Sequence, residues 1–199
     1  HVDISMTDAI FGMSTMFGSH YLAGKEEPRP GTTTLNGGTF YDYYLTADGR
    51  NLSIGSLEPQ FFTQLCATLG LEEFISLGSK PDAASQQKFK QLLEETIVTK
   101  SLAEWVDIFK DKDACVEPVL TLSEACESEH MKQRDLVVNV DTYQGSVQKQ
   151  IGSAIKLSES PTTYGLCGAP LGHHNQQVME ELGMSEQEID AAKHSGMFG

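Results

Sequence analysis

The chain opens on an alternating pattern. Val2, Ile4 and Met6 point one way and Asp3 and Ser5 the other, the period of a short strand. Thr7 or Asp8 then offers a side-chain oxygen to free helix N–H groups. Ile10, Met13, Phe17 and Tyr21 recur at helical spacing as far as about Leu22, and Gly24 ends the run. Residues 25–38 (KEEPRPGTTTLNGG) combine prolines and glycines without periodicity, which marks a linker. Residues 39–46 are rich in Tyr and Phe, Asp48-Gly49 supplies turn chemistry, and an extended pattern resumes over 51–56, so a β-hairpin is expected. Pro59 opens a helix where its missing N–H costs nothing, Phe61, Phe62, Leu65 and Leu69 form the buried stripe, and Gly70 closes it.

Further on, residues 85–99 place Phe89, Leu92, Leu93 and Ile97 at helical spacing. Ser101 and Glu104 make a capping box ahead of Trp105, Ile108 and Phe109. Residues 114–120 read as extended, 122–130 as a short helix, and 137–157 as two strands around Gln144-Gly145. A loop over 161–175 leads to helices at 176–182 and 185–195, the second opened by another capping box, Ser185 to Glu188. The middle of the chain is therefore α+β. Its opening strand and helix have no partners in the sequence, so the chain is expected to begin in the middle of a fold.

Length and composition narrow the possibilities. With 199 residues and 39% apolar content the chain can bury one good core or two small ones. Its apolar runs are too short to span a membrane, and no basic start leads into an apolar stretch as in a signal peptide. A formal net charge of −14 repels nucleic acid and anionic membrane, so neither is expected as a partner. Cys66, Cys115, Cys126 and Cys167 are widely spaced and form no C-x-x-C, which favours reduced, buried thiols in a cytoplasmic setting. His173-His174 lacks the further ligands that zinc requires, and no G-x-S-x-G elbow is present; neither a metal nor serine hydrolysis is expected.

Four segments in order and spacing carry a resemblance. They are HVDISMTDA (1–9), YDYYLTADGRNLSIGSLEPQFF (41–62), DACVEPVLTLSEA (113–125) and APLGHHNQQVMEEL (169–182), the last with Asn175 where Thr is usual. Together they resemble the CaiB/BaiF family, which contains class III CoA-transferases and α-methylacyl-CoA racemases. The resemblance implies a two-lobed fold, a Rossmann-like α/β CoA-binding lobe and a smaller α+β lobe, assembled as interlocked homodimers. It assigns 1–24 to the last strand and helix of the large lobe and 25–38 to a linker. The small α+β lobe becomes 39–160, and 161–199 a linker with C-terminal helices returning to the large lobe. The implied substrate is an acyl-CoA, with CoA entering as part of the substrate and no covalently bound cofactor.

Racemising a 2-methylacyl-CoA requires an acid/base group on each face of the α-carbon and donors to the enolate oxygen. In racemases of this family a His and an Asp move the proton, and transferases use a nucleophilic Asp; no residue here matches those positions. The resemblance thus implies that this chain alone does not turn over. Glu58 matches the glutamate of the family's Glu-Pro-Gln-Phe motif, which supports the catalytic His by fixing its tautomer. Read locally, the same carboxylate simply meets the helix dipole ahead of Pro59. Asn36, Gly37 and Gly38 stand where transferases carry a longer glycine-rich loop over the acyl-CoA; the short version, usual in racemases, favours racemase over transferase. A plain turn requiring positive φ is the local reading. Met13, Met16 and Tyr41 would offer the acyl chain an adaptable apolar surface, or form ordinary core. A further expectation is that the chain, on its own, is an interaction module for dimer assembly.

Overall fold

The computed structural model describes residues 1–24 and 27–197. The chain divides into two compact units, His1–Val119 and Leu120–Gly199, a division that falls inside the span 39–160 assigned above to one lobe.

The first unit opens differently from the expectation. Residues 1–5 form no strand, and Val2 and Ile4 are each 83% exposed. Alternation is a local signal, whereas a strand requires a neighbouring ladder, and the described residues offer none. Ser5, rather than Thr7 or Asp8, caps helix α1 (Met6–Met13) by accepting from the Asp8 N–H at 3.3 Å. The single helix expected to Leu22 breaks at Ser14, and α2 (Thr15–Leu22) follows. Around the break, hydroxyls compete for helix carbonyls: Ser14 Oγ donates to Ile10 O and Thr15 Oγ1 to Gly12 O. Neither helix buries a residue, so Met13, Ile10 and Tyr21 are not core.

Strands β1 (Asp42–Leu45) and β2 (Asn51–Ile54) form the expected hairpin, with Gly49 at φ 73° in its turn. The antiparallel sheet is completed by β3 (Val116–Pro118) on the far side of β2. Pleating sends Tyr44, Leu52 and Ile54 into the core and leaves Tyr43 and Leu45 exposed. Helix α3 (Pro59–Leu69) ends at Gly70 in the left-handed conformation. A short 3-10 turn and α4 (Ile75–Gly78), both unmarked in the sequence pattern, lead to α5 (Ala83–Ile97) and α6 (Leu102–Phe109). The Ser101–Glu104 capping box forms as expected, and Asp48 of the hairpin turn accepts from the Leu102 N–H at 3.1 Å. At the heart of the core Phe40 stacks on Phe62 at 4.9 Å, and Phe89 meets each edge-on at 5.4 Å. The sole tryptophan, Trp105, is buried and donates to Ile97 O at 2.7 Å.

In the second unit the helix expected over 122–130 splits at Ser128. That residue ends α7 (Leu122–Glu127) in an extended conformation and caps α8 (Glu129–Gln133). Strands β4 (Val137–Asp141) and β5 (Val147–Ile151) pair around the expected turn, where Gly145 adopts φ 80°. Helices α9 (Asn175–Glu181) and α10 (Glu186–His194) close the chain, with the Ser185–Glu188 capping box in place. The His173 ring packs edge-on against Tyr143 and His174, each at 4.7 Å. Among the described residues no helix is long and apolar enough to cross a membrane. Of the cysteines expected to be buried, Cys66 is buried; Cys115 is exposed, and Cys126 and Cys167 lie in between.

Candidate functional site

The segment from Gly31 to Tyr41 is built around backbone close approach. Gly37 takes φ +74°, which favours glycine. A Cβ on Gly38 would lie 2.5 Å from Thr32 C and O and 2.8 Å from Thr33 O, so no side chain fits without opening the turn. The Gly38 N–H donates to Thr33 O at 3.0 Å, and Asn36 Oδ1 accepts from the Gly31 N–H at 3.4 Å. Gly37 thus meets the local reading of a turn requiring positive φ, whereas Gly38 does not take positive φ and is kept free of a side chain by close backbone approach.

Helix α5 grips this segment from below. Lys90 Nζ donates to Gly37 O at 3.0 Å and to Asp42 Oδ2 at 2.6 Å. One turn earlier, the buried Gln86 accepts from the Phe40 N–H at 2.9 Å and donates to Gly78 O and Lys80 O. Burial pushes the Asp42 carboxyl up, but the Lys90 hydrogen bond, the Tyr43 N–H and the Lys90 charge outweigh it and hold the group below the usual carboxylate range. Tyr44 Oη donates to Phe40 O at 2.7 Å, and burial pushes its phenol well above the usual tyrosine range.

The turn borders several cavities. On the hairpin side Asn36, Gly37 and Tyr41 line one of about 440 Å³. On the α5 side Gly37 and Gly38 meet Gln87, Lys90 and Glu94 around another of about 690 Å³. Met16, Phe17 and His20 of α2 face residues 32–34 across a third of about 340 Å³. The structure thus brings Asn36, Gly37, Gly38 and Tyr41 together and sets Met16 against the outer side of the same segment. Met13, 86% exposed, lines none of these cavities.

Glu58 occupies the N-cap of α3 yet makes no side-chain capping bond, and its carboxylate is exposed. Its charge acts on the exposed Cys115, whose thiol is pushed up by slight desolvation and then by the charges of Glu58, Asp113 and Glu117. Cys115 itself sits in the left-handed region at φ 49°, and its carbonyl accepts from the Gly55 N–H at 2.9 Å. The Tyr41 ring covers Gly55 closely, 3.3 Å from where a Cβ would stand. Tyr41 and Glu58 therefore flank the same stretch of backbone after β2, linked through Gly55 and Cys115. Lys90 and Gln86 are unmarked in the sequence pattern, and the roles of Asp42 and Cys115, which lie inside the quoted motifs, are equally invisible there, because all of them rest on contacts far along the chain.

Residues 1–175 match the profile of CoA-transferase family III. The chain is 33% identical over 190 residues to alpha-methylacyl-CoA racemase of Mus musculus, covering 94% of this chain and 49% of that protein. It is 30% identical over 105 residues to formyl-CoA:oxalate CoA-transferase of Rhodopseudomonas palustris (strain BisB18), covering 52% of this chain and 24% of that one. The fold is similar to the crystal structure of a CAIB/BAIF family protein from Brucella suis, with a TM-score of 0.67 at 20% identity, over 92% of this chain and 48% of that one. The chain spans about half the length of the mouse protein.

Proposed function

Because the chain belongs to CoA-transferase family III, we propose that it forms part of an α-methylacyl-CoA racemase, moving the proton α to the thioester carbonyl of a 2-methylacyl-CoA. The observation that carries this reading is the 33% identity to the mouse racemase across 94% of the chain. The short glycine pair supports it. So does the exposed, uncapped carboxylate of Glu58, which is left available by its own helix.

In this reading an imidazole and a carboxylic acid on opposite faces of the α-carbon exchange the proton, and both come from the half of the relatives that this chain does not match. Glu58 accepts the imidazole N–H, which fixes the tautomer and raises the basicity of the other ring nitrogen. Asn36, Gly37, Gly38 and Tyr41 face the acyl group, with Met16 at its edge. The complete enzyme is an interlocked homodimer in a cytoplasmic setting, and CoA arrives with the substrate. A class III CoA-transferase is the second reading, favoured by the similarity to formyl-CoA:oxalate CoA-transferase.

The test is α-proton exchange in deuterated water with a 2-methylacyl-CoA. This chain alone should exchange at the uncatalysed rate. A protein carrying the chain together with the other half of the fold should exchange and invert the centre. Glu58→Gln in that protein should lower the rate by about tenfold or more. Movement of CoA to an added carboxylate without α-exchange would establish the transferase reading instead.

A further inference from the structure

The glycine turn is held by side chains of α5, which lies outside the family motifs quoted above. Three points along 37–42 are gripped from one face of α5: the Gly37 carbonyl and the Asp42 carboxylate by Lys90, and the Phe40 N–H by Gln86. Gln86 and Lys90 are four residues apart and so stand one above the other on the helix. We propose that Lys90 is a positioning residue, its ammonium clasping the Gly37-Gly38 turn against β1 in the shape presented to the acyl thioester. This rests on the reading that the turn faces the thioester.

An ion pair at a protein surface ordinarily contributes little. Several features set this one apart. Lys90 and Asp42 side chains are only 21% and 32% exposed, and their contact is 2.6 Å. One ammonium joins a carboxylate to the carbonyl of a glycine at positive φ, where the backbone has no side chain of its own to hold it. Gly37 itself lines both the 440 Å³ and the 690 Å³ cavities, and Gly38, packed on the Thr32 and Thr33 backbone, lines the second, so any movement of Gly37 reshapes both walls. Neutral methionine can fill the stem of Lys90 but can donate to neither oxygen, whereas arginine keeps the charge and the donors.

The experiment is amide hydrogen exchange on a protein carrying this chain together with the other half of the fold, for wild type, Lys90→Met, Lys90→Arg and Asp42→Asn, with and without isobutyryl-CoA. Far-UV circular dichroism verifies that each variant is folded. Lys90→Met should speed exchange at the Gly38 and Phe40 amides by about tenfold or more while the β2 amides stay unchanged. Asp42→Asn should loosen the same amides by a smaller factor, and Lys90→Arg should restore wild-type exchange. Isobutyryl-CoA should protect the turn in wild type and Lys90→Arg and fail to do so in Lys90→Met. Unchanged exchange in both Lys90→Met and Asp42→Asn overturns the proposal, as does a loosened turn that isobutyryl-CoA protects as well as it does in wild type. A loosened turn in Lys90→Met with no protection of any protein upholds the clasp and overturns the acyl-CoA reading instead.

Discussion

Gly78 underlies the aromatic cluster that anchors the candidate site, and adding one methyl group there tests how tightly that anchor is packed. A Cβ would stand 2.5 Å from Phe62 Cζ and 3.0 and 3.1 Å from two ring carbons of Phe89. Phe62 has little room to retreat, since its ring stacks on Phe40 at 4.9 Å. Alanine in place of a helical glycine ordinarily gains up to about 1 kcal/mol, while overpacking a core costs about 1–3 kcal/mol. The balance is a loss of about 1–2 kcal/mol. Urea denaturation followed by Trp105 fluorescence reads this unit alone, because Trp105 is the sole tryptophan. The midpoint should fall by about 0.5–1 M with the slope unchanged. Phe62→Leu makes space, so the double variant should be more stable than the sum of the single losses by about 0.5 kcal/mol or more. A Gly78→Ala chain as stable as wild type, or strict additivity with Phe62→Leu, would refute the packing argument.

Glu58→Gln should speed alkylation of Cys115 by iodoacetamide near pH 7.5, roughly two- to fourfold, because removing a nearby negative charge favours the thiolate; peptide mapping with Cys66 as the slow internal standard checks it, since burial and then the Glu72 charge push that thiol up to about 11. Asp42 and Glu104 both have carboxyls held below their ordinary values, the first by Lys90 and Tyr43 against the effect of burial, the second by hydrogen bonds from Ser101. The unfolded chain therefore takes up protons first on acidification: their stabilisation is complete above about pH 5, is lost progressively below about pH 4, and an acid titration of Asp42→Asn should show a shallower loss. Ser101→Ala removes the cap of α6 and should cost about 0.5–2 kcal/mol in the same urea assay, whereas Ser5→Ala, on a helix with no buried residue, should leave the Trp105 transition unchanged.

What the sequence made legible were features whose cause is local. The hairpin follows from Asp48-Gly49 between alternating runs, and the boxes at Ser101 and Ser185 each need only a partner three residues on. A third box, Thr121 with Glu124, follows the same local rule. Residues 2–5 form no strand because an alternating run becomes one only beside another strand. Ser128 ended one helix and began the next, which a hydrophobic period does not reveal. At the candidate site, Asn36, Gly37 and Tyr41 came from the family resemblance and do share a cavity. Lys90 and Gln86 lie 48 and 46 residues from Asp42 and Phe40, so no window along the chain contains either pair. Cys115 looks like an ordinary apolar position in a strand; its left-handed φ arises where the chain turns into β3.

Gln86 carries a consequence for which substitutions this architecture tolerates. Its carboxamide is wired to one backbone donor and two backbone acceptors on separate stretches of chain. Glutamate has the same outline but would bring a carboxylate against the oxygens of Gly78 and Lys80, and an aliphatic residue would strand all of these groups away from water. The junction between α4 and α5 and the entry into β1 are thereby bolted to a single hinge pin. A lineage that alters one of them must carry the other along.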